Sequence, residues 1–420
     1  MDTYKISFRK LINNNLAKNS AIVFAGSMAG NVLAYVYHLL MGRLLGPAGY
    51  GELSSLLSIF YIFFVPIGVA QTVLVKFISG FKARGDVGQA KSLYWSVTKI
   101  VAVISLVGLP VILVAAPWVT SFLHLSSLVL FILVYLIFVI TLLSIAPVSM
   151  LQGYQRFVWI SVFGVAAVAI KILLSVPMTT WGVYGVLLAA ALAAAFTYVL
   201  YYFPLRFVLT AKSEKSRLSK RDAFRFALPT LLIQLGITSL YTTDIILVRH
   251  FFSSPEAGVY AAIAILGKVI FYASSSVSLV LFPVLSERTA SGAATKRLTA
   301  SAIGGVAAIS AGITILYFLF PHLIVGLLFG NAYAGAGSFL GSFGIFLALY
   351  SIGGIIVTAC LALGRTGIWF VPVICAILQI AGITVWHGNI ATVISLNIGI
   401  CMLYVLGSAA YYLKGAYAKI

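Results

Sequence analysis

"LTAKSEKSRLSKRDAFRF" (Leu209 to Phe226) is the only long polar segment in the middle of this chain, and it carries Lys212, Lys215, Arg217, Lys220, Arg221 and Arg225. On both sides of it the sequence is overwhelmingly apolar. Of 420 residues, 62% are hydrophobic and only 8% are charged, with a mean hydropathy of +1.11. A soluble domain keeps about a quarter of its residues charged. This chain cannot coat a surface that faces water, so lipid must be its solvent. The segment therefore reads as a loop that divides a membrane protein in two.

A membrane-spanning helix needs about 20 mostly apolar residues. Breaking the chain at its proline, glycine and charge clusters gives twelve candidates, starting near Ala21, Ser54, Leu93, Leu128, Phe157 and Tyr184 before the loop and near Phe224, Ala257, Leu298, Ser338, Ile368 and Ala391 after it. Cations support the count. Lys5, Arg9, Lys10 and Lys18 precede the first span, and Lys76, Lys82, Arg84 and Lys91 lie in the second loop. Later come Arg288, Lys296 and Arg297, then Arg365, then Lys414 and Lys419 in the tail, while the alternate loops near Pro117, Pro177, Pro321 and Trp386 have none. By the positive-inside rule both termini are cytoplasmic and the chain sits in the plasma membrane. The formal charge of +19 thus reflects topology and contact with anionic membrane lipids rather than nucleic acid. The basic N-terminus is too long and polar for a signal peptide.

The expected architecture is all-α and polytopic, with about twelve transmembrane helices in two pseudo-symmetric six-helix bundles around a central cavity. Residues 1–20 form a basic cytoplasmic tail, 21–208 the first bundle, 209–223 the linker, 224–413 the second bundle and 414–420 the last tail. The halves echo each other in order. "GPAGYG" (from Gly46) pairs with "SSPEAGVY" (from Ser253), and "LQGYQRFVWISVFG" (from Leu151) pairs with "LALGRTGIWFVPVICA" (from Leu361). An even number of helices separates the copies, so both have one orientation. Parallel repeats of this kind are a transporter architecture that works by alternating access.

Ionisable groups inside spans carry the most information, because a midplane charge is costly unless paired or wet. Lys268 lies about eleven residues, roughly 16 Å, into the eighth helix, out of easy reach of either end. Lys99 and Lys171 sit nearer the ends of the third and fifth helices and have the length to snorkel. Arg43 and Arg249 close the outer ends of the first and seventh helices, against the charge pattern. These five cations face one deep acid, Asp244, with Glu52 as a second pairing candidate. A cavity holding them is electropositive and selects anions, phosphate foremost. Asp244 has two readings, a brace for Arg249 or Lys268 and a proton- or sodium-binding site that couples transport to a gradient. Pro66, two residues before Gly68, interrupts a helix and marks either a hinge or a static kink.

Other signals are weaker. All five histidines map to the outer side, an arrangement that chance suffices to explain. Gln71, Gln152, Gln155, Gln234, Asn31 and Asn397 bridge helices or bind sugar hydroxyls. Cys360, Cys375 and Cys401 lack metal-ligand spacing and read as core thiols. No cofactor, metal cluster or glycine-rich nucleotide loop is legible, so the chain is not expected to be an enzyme.

"GRLLGPAGYGELSSLLSI" (from Gly42), with "FKARGDVGQAKSL" one helix later, "LQGYQRF" after the fourth helix and "SSPEAGVYAAI" in the second half, resembles the polysaccharide flippase family. That family belongs to the superfamily of multidrug, oligosaccharide-lipid and polysaccharide exporters. The resemblance implies a flippase carrying an undecaprenyl- or dolichyl-diphosphate oligosaccharide to the outer leaflet, often driven by an ion gradient. Arg43 and Asp244 match the family pattern, whereas Lys99, Lys171 and Lys268 rest on burial alone. Glycan polymerases and glycosyltransferases are the partners such a role implies. With twelve spans rather than the fourteen of lipid II flippases, peptidoglycan precursor is a weaker choice of cargo. Two rivals remain. A multidrug antiporter of the same superfamily would carry more acids, and a non-transporting scaffold in glycan assembly would have no use for buried lysines.

Overall fold

A computed structural model describes residues 15–212, 220–290 and 295–417. The tail cations Lys5, Arg9 and Lys10, the linker cations Lys215 and Arg217, and Lys419 lie outside the described residues. Among the described residues every regular element is helical. The elements are α1 (Asn15–Arg84), α2 (Val87–Phe122), α3 (Leu128–Leu143), α4 (Ile145–Gly153), α5 (Phe157–Met178), α6 (Gly182–Leu200) and α7 (Tyr202–Leu209). After the linker come α8 (Lys220–Leu240), α9 (Thr243–Phe251), α10 (Ser254–Ala290), α11 (Lys296–Leu319), α12 (Pro321–Leu328), α13 (Gly337–Ala362), α14 (Phe370–Val385) and α15 (Ile390–Tyr417).

Nine described segments are long and apolar enough to cross a membrane, and α8 with α9 makes a tenth, bent by 44°. Two of the nine, 28–84 and 157–209, run to 57 and 53 residues, each enough for two crossings of about 20 residues. Counting them so gives the twelve spans read from the sequence. The merged first segment is broken at Gly46, whose φ of 67° and ψ of 177° suit glycine and few other residues. Pro66, by contrast, sits within backbone that keeps helical dihedrals.

The chain forms two compact units. One comprises Met1–Leu44, Pro66–Ser121 and Leu125–Ala223, the other Leu45–Val65, Phe122–His124 and Phe224–Ile420. The stretches 45–65 and 122–124, which the sequence reading places in the first bundle, pack with the second unit. In the first unit, Ile67, Ile78, Phe81, Tyr94, Met150 and Leu151 make a buried cluster, and α6 packs on α3 and α5. In the second, α13 is surrounded by α10, α11 and α15 and buries most of its length. Leu281, Leu285, Val306, Ile355 and Ile356 fill the space between these helices.

The repeat visible in the sequence is repeated as structure. After α4, the Arg156 backbone N–H bonds to the Leu151 carbonyl at 2.8 Å, and after α13 the Arg365 N–H bonds to the Cys360 carbonyl at 2.9 Å. The residue before each arginine has positive φ, 60° at Gln155 and 74° at Gly364. This is the six-to-one closure that ends a helix with a left-handed residue. Each arginine then reaches a carbonyl near the far end of its own unit. Arg156 Nη1 donates to Pro204 at 2.7 Å and Arg365 Nη1 to Tyr412 at 2.9 Å. Arg365, read from sequence as a topology marker, is thus also a structural tie.

Candidate functional site: a buried lysine beside a hydroxyl-lined cavity

The break between α8 and α9 is built by hydroxyl side chains that compete with the helix for its carbonyls. Thr242 Oγ1 donates to the Thr238 carbonyl at 2.6 Å, and Ser239 shares a 2.8 Å hydrogen bond with Thr243. The backbone tightens into three-residue turns at Tyr241 and Thr242. Asp244 follows at once, in the first turn of α9, where a helix start favours a carboxylate. Its Oδ1 accepts from the Ile245 N–H at 2.9 Å and its Oδ2 from the Tyr260 hydroxyl at 2.7 Å. Asn397 Nδ2 donates to Tyr260 Oη at 3.0 Å. Gln379 Nε2 donates to Asn397 Oδ1 at 2.9 Å and to the Leu240 carbonyl at 3.0 Å. All four side chains are buried, and Gln379 Oε1 has no partner among the described residues.

Lys268, on α10, is 5% exposed. Its Nζ stands 5.2 Å from the Tyr241 ring centre and 5.4 Å from that of Tyr61. It attracts Asp244 through space, yet among the described residues no carboxylate touches it. Two tyrosine faces are its company. A desolvated ammonium over an aromatic face gains about 2 kcal/mol, well short of the several kcal/mol that removing a charge from water costs after relaxation. Such a site favours an incoming anion.

A cavity of about 540 Å³ lies in the same unit, lined among others by Gln234, Phe271, Ser274, Ser278, Tyr350 and Ser351. That volume suits a small-molecule ligand. Lys268, Phe271, Ser275, Ser278 and Phe282 recur every three or four residues and so share one face of α10. Phe271 stacks on Tyr241 with ring centres 5.7 Å apart and packs against Tyr350 at 5.6 Å. Tyr241 therefore joins the lysine to the aromatic wall of the cavity. The wall mixes hydroxyls with aromatic faces, and Ser351 Oγ is buried without a partner among the described residues.

The remaining cations go elsewhere. Arg249 is 4% exposed and clamps backbone: Nε donates to the Leu123 carbonyl at 2.9 Å and Nη2 to that of His124 at 2.8 Å, while Nη1 has no partner among the described residues. Glu52, itself buried, attracts it electrostatically. Next door, the His250 ring stacks on Phe122 at 3.9 Å and its Nδ1 meets the Phe122 carbonyl at 2.7 Å. Arg249 and His250 together explain why 122–124 belongs to the second unit. Arg249→Met should lower stability by about 1–3 kcal/mol, mostly through the stranded Leu123 carbonyl. Thermal unfolding of detergent-purified protein measures this, and an unchanged midpoint would show that the clamp is dispensable.

In the first unit, Lys171 Nζ lies 3.8 Å over the Tyr37 ring. Lys99 is exposed, on the α2 face that also exposes Trp95 and Val103. Arg43 is exposed just before the Gly46 break. The structure thus gathers Lys268 with Asp244, and Arg249 with Glu52, and leaves Lys99, Lys171 and Arg43 apart from these pairs within their own unit. Gly68, with Gln71 and Gln152, lines a small polar cleft in the first unit, where Gln71 donates to Gln152 at 3.2 Å. Tyr61, Tyr241, Tyr260 and Gln379 escaped sequence reading. Gln379 alone left a signal there, as a lone amide inside "VICAILQIAGITV".

The family described as "Polysaccharide biosynthesis protein" matches residues 16–288. No curated protein matches the chain. Among solved structures, an inward-facing multidrug resistance MATE family transporter of the MOP superfamily superposes with a TM-score of 0.73 at 16% identity, covering 91% of this chain and 94% of that one. The lipid II flippase MurJ in an inward closed conformation gives 0.69 at 12% identity, over 94% and 87%. A MOP superfamily transporter from Pyrococcus furiosus, described as having a binding pocket of reverse polarity, gives 0.65 at 16% identity, over 97% of both chains. At such identities these likenesses establish a shared fold.

Proposed function

Because the chain belongs to the polysaccharide biosynthesis protein family and has the fold of MOP-superfamily transporters, we propose that it is a flippase. It carries a lipid-diphosphate-linked oligosaccharide from the cytoplasmic to the outer leaflet by alternating access. The observation that carries this reading is Lys268: a buried ammonium with no contacting carboxylate among the described residues, next to a cavity lined with hydroxyls and aromatic rings. The diphosphate meets this cation; Lys171, Lys99 and Arg43 are candidate anion contacts of the first unit in their own right. Serine hydroxyls and the Gln234 amide bind sugar hydroxyls, and aromatic faces cover the apolar faces of the sugar rings. A multidrug exporter of cationic compounds fits less well, since Lys268 would repel its substrates.

Asp244, with Tyr260, Asn397 and Gln379, is the ion-coupling site in this scheme. A buried carboxylate that accepts from the Tyr260 hydroxyl, itself linked through Asn397 to Gln379, suits a proton or a sodium ion. Pro66 and Gly68 are the hinge in this scheme. Both termini are cytoplasmic, and glycan polymerases or glycosyltransferases are the partners in the plasma membrane.

A fluorescent diphosphate-linked oligosaccharide in proteoliposomes tests the reading, with sodium or proton gradients imposed or collapsed. Transfer between leaflets should need protein and rise with one gradient. Asp244→Asn should abolish that rise while substrate binding persists. Transfer that ignores every gradient would remove the coupling role, and absence of transfer under all of them would remove the flippase.

A further inference from the structure

We propose that a second cavity in the second unit, walled by α11, α13 and α15, is a binding site for an anionic phospholipid, with Lys296 at its mouth for the phosphate. The cavity is about 390 Å³ and is lined by Thr299, Ala300, Ile303, Ile356, Ala409 and Leu413, together with Lys296 and Tyr412. It lies on the opposite side of α13 from the hydroxyl-lined cavity, since Ile356 faces one space while Gly354, Val357 and Thr358 face the other.

Three observations point to this occupant. First, the lining is apolar except at one end, and its hydroxyl at Thr299 is already committed, donating to the Thr295 carbonyl at 3.1 Å. No array of donors exists here for a sugar; the polar chemistry suffices for one headgroup. Second, the charge is of one sign. Lys296 is exposed, Arg297 follows it, and Lys414 occupies the last turn of α15. Helices α11, α13 and α15 contain no aspartate or glutamate along their whole lengths. Cations at the interface end of membrane helices attract anionic lipid.

Third, the other half of the repeat carries bulkier side chains at several corresponding positions. The offset that carries Arg156 to Arg365 carries Val87 to Lys296, Lys91 to Ala300, Tyr94 to Ile303 and Tyr198 to Gly407. Where the second unit has Ile303 and Gly407, the first has tyrosines. Tyr94 is 1% exposed, Tyr198 and Tyr202 share a 3.1 Å hydrogen bond, and Lys91 Nζ closes on the Ala211 carbonyl at 2.8 Å. One copy of the repeat puts bulk at these positions and the other does not. Tyr412, which also lines the cavity, is held through its carbonyl by Arg365.

The test uses the full chain in an uncharged detergent, titrated with phosphatidylglycerol, with phosphatidylcholine of the same acyl chains, and with glycerol phosphate alone. Thermal unfolding and native mass spectrometry read the binding. Phosphatidylglycerol should raise the midpoint and stay bound. Lys296→Ala with Arg297→Ala should weaken it about thirtyfold, at about fivefold for each cation near an anionic headgroup. Ile303→Trp, which fills the cavity without touching the charge, should abolish retention. Equal stabilisation by phosphatidylcholine or by glycerol phosphate, unchanged binding in both variants, or displacement of the phospholipid by an equimolar polyprenyl diphosphate would each overturn the proposal.

Discussion

Lys268→Met is expected to leave the protein as stable as before, or more stable, while cutting delivery of lipid-linked glycan to the outer leaflet about 10- to 100-fold. The two halves of this expectation have different origins. A charge-assisted hydrogen bond to an anion is worth about 1.5–3 kcal/mol, which sets the loss in function. Stability goes the other way because Lys268 has two tyrosine faces and, among the described residues, no contacting carboxylate. Methionine keeps the length, packs against the same rings and needs no water. If Lys268 were instead the cationic half of a structural pair with Asp244, removing it would strand a buried carboxylate and cost about 3–5 kcal/mol. Thermal unfolding and a leaflet-delivery assay on the same preparation separate the cases. A large fall in midpoint, or full delivery, would end the assignment of Lys268 to substrate.

Much of this fold could be read in advance because a membrane makes few demands and makes them strongly. Hydropathy and the alternation of Lys and Arg placed the spans, and the expected start at Leu128 coincides with the start of α3. The repeat was legible too, down to paired breaks at "LQGYQRF" and "LALGRTG". The site was legible only in part. A lysine or aspartate within an apolar run stands out, and so Lys268 and Asp244 are legible as candidates. Tyr61, Tyr241 and Tyr260 are not, because the chain has 22 tyrosines and nothing in the sequence distinguishes a ring beneath an ammonium from a ring in the core. Arg249 stood out for its position, but its role as a clamp on Leu123 and His124 depends on a contact across 126 residues, which no local pattern encodes. The allegiance of 45–65 and 122–124 to the second unit has the same cause.

Gly258→Ala, the smallest of substitutions, should be among the most damaging. The two corners that echo each other in the sequence meet backbone to backbone within the second unit. A Cβ on Gly258 would overlap the Pro47 carbonyl, and one on Gly51 would come within 2.8 Å of the Gly258 nitrogen. Backbone cannot swing aside as a side chain can. Around Gly258, Ala257, Tyr260, Ala261 and Ala262 are all buried, and on the other corner Tyr50 is fixed against Phe329. Overpacking of this kind costs about 1–3 kcal/mol when neighbours relax, and more when they do not. Alanine also has the higher helix propensity, by about 1 kcal/mol, so any net loss understates the clash. Gly304→Ala supplies the control. It lies inside α11 with nothing within 4 Å of a built Cβ, and should be neutral or stabilising by that propensity. If Gly258→Ala melts with Gly304→Ala rather than well below it, the corners are looser than their backbones imply. If it melts far below, the reason for building the corner twice is packing: glycine in each copy lets the two bends touch, and the register of Tyr260 with Asp244 at 2.7 Å, two residues further along α10, is set by that touch.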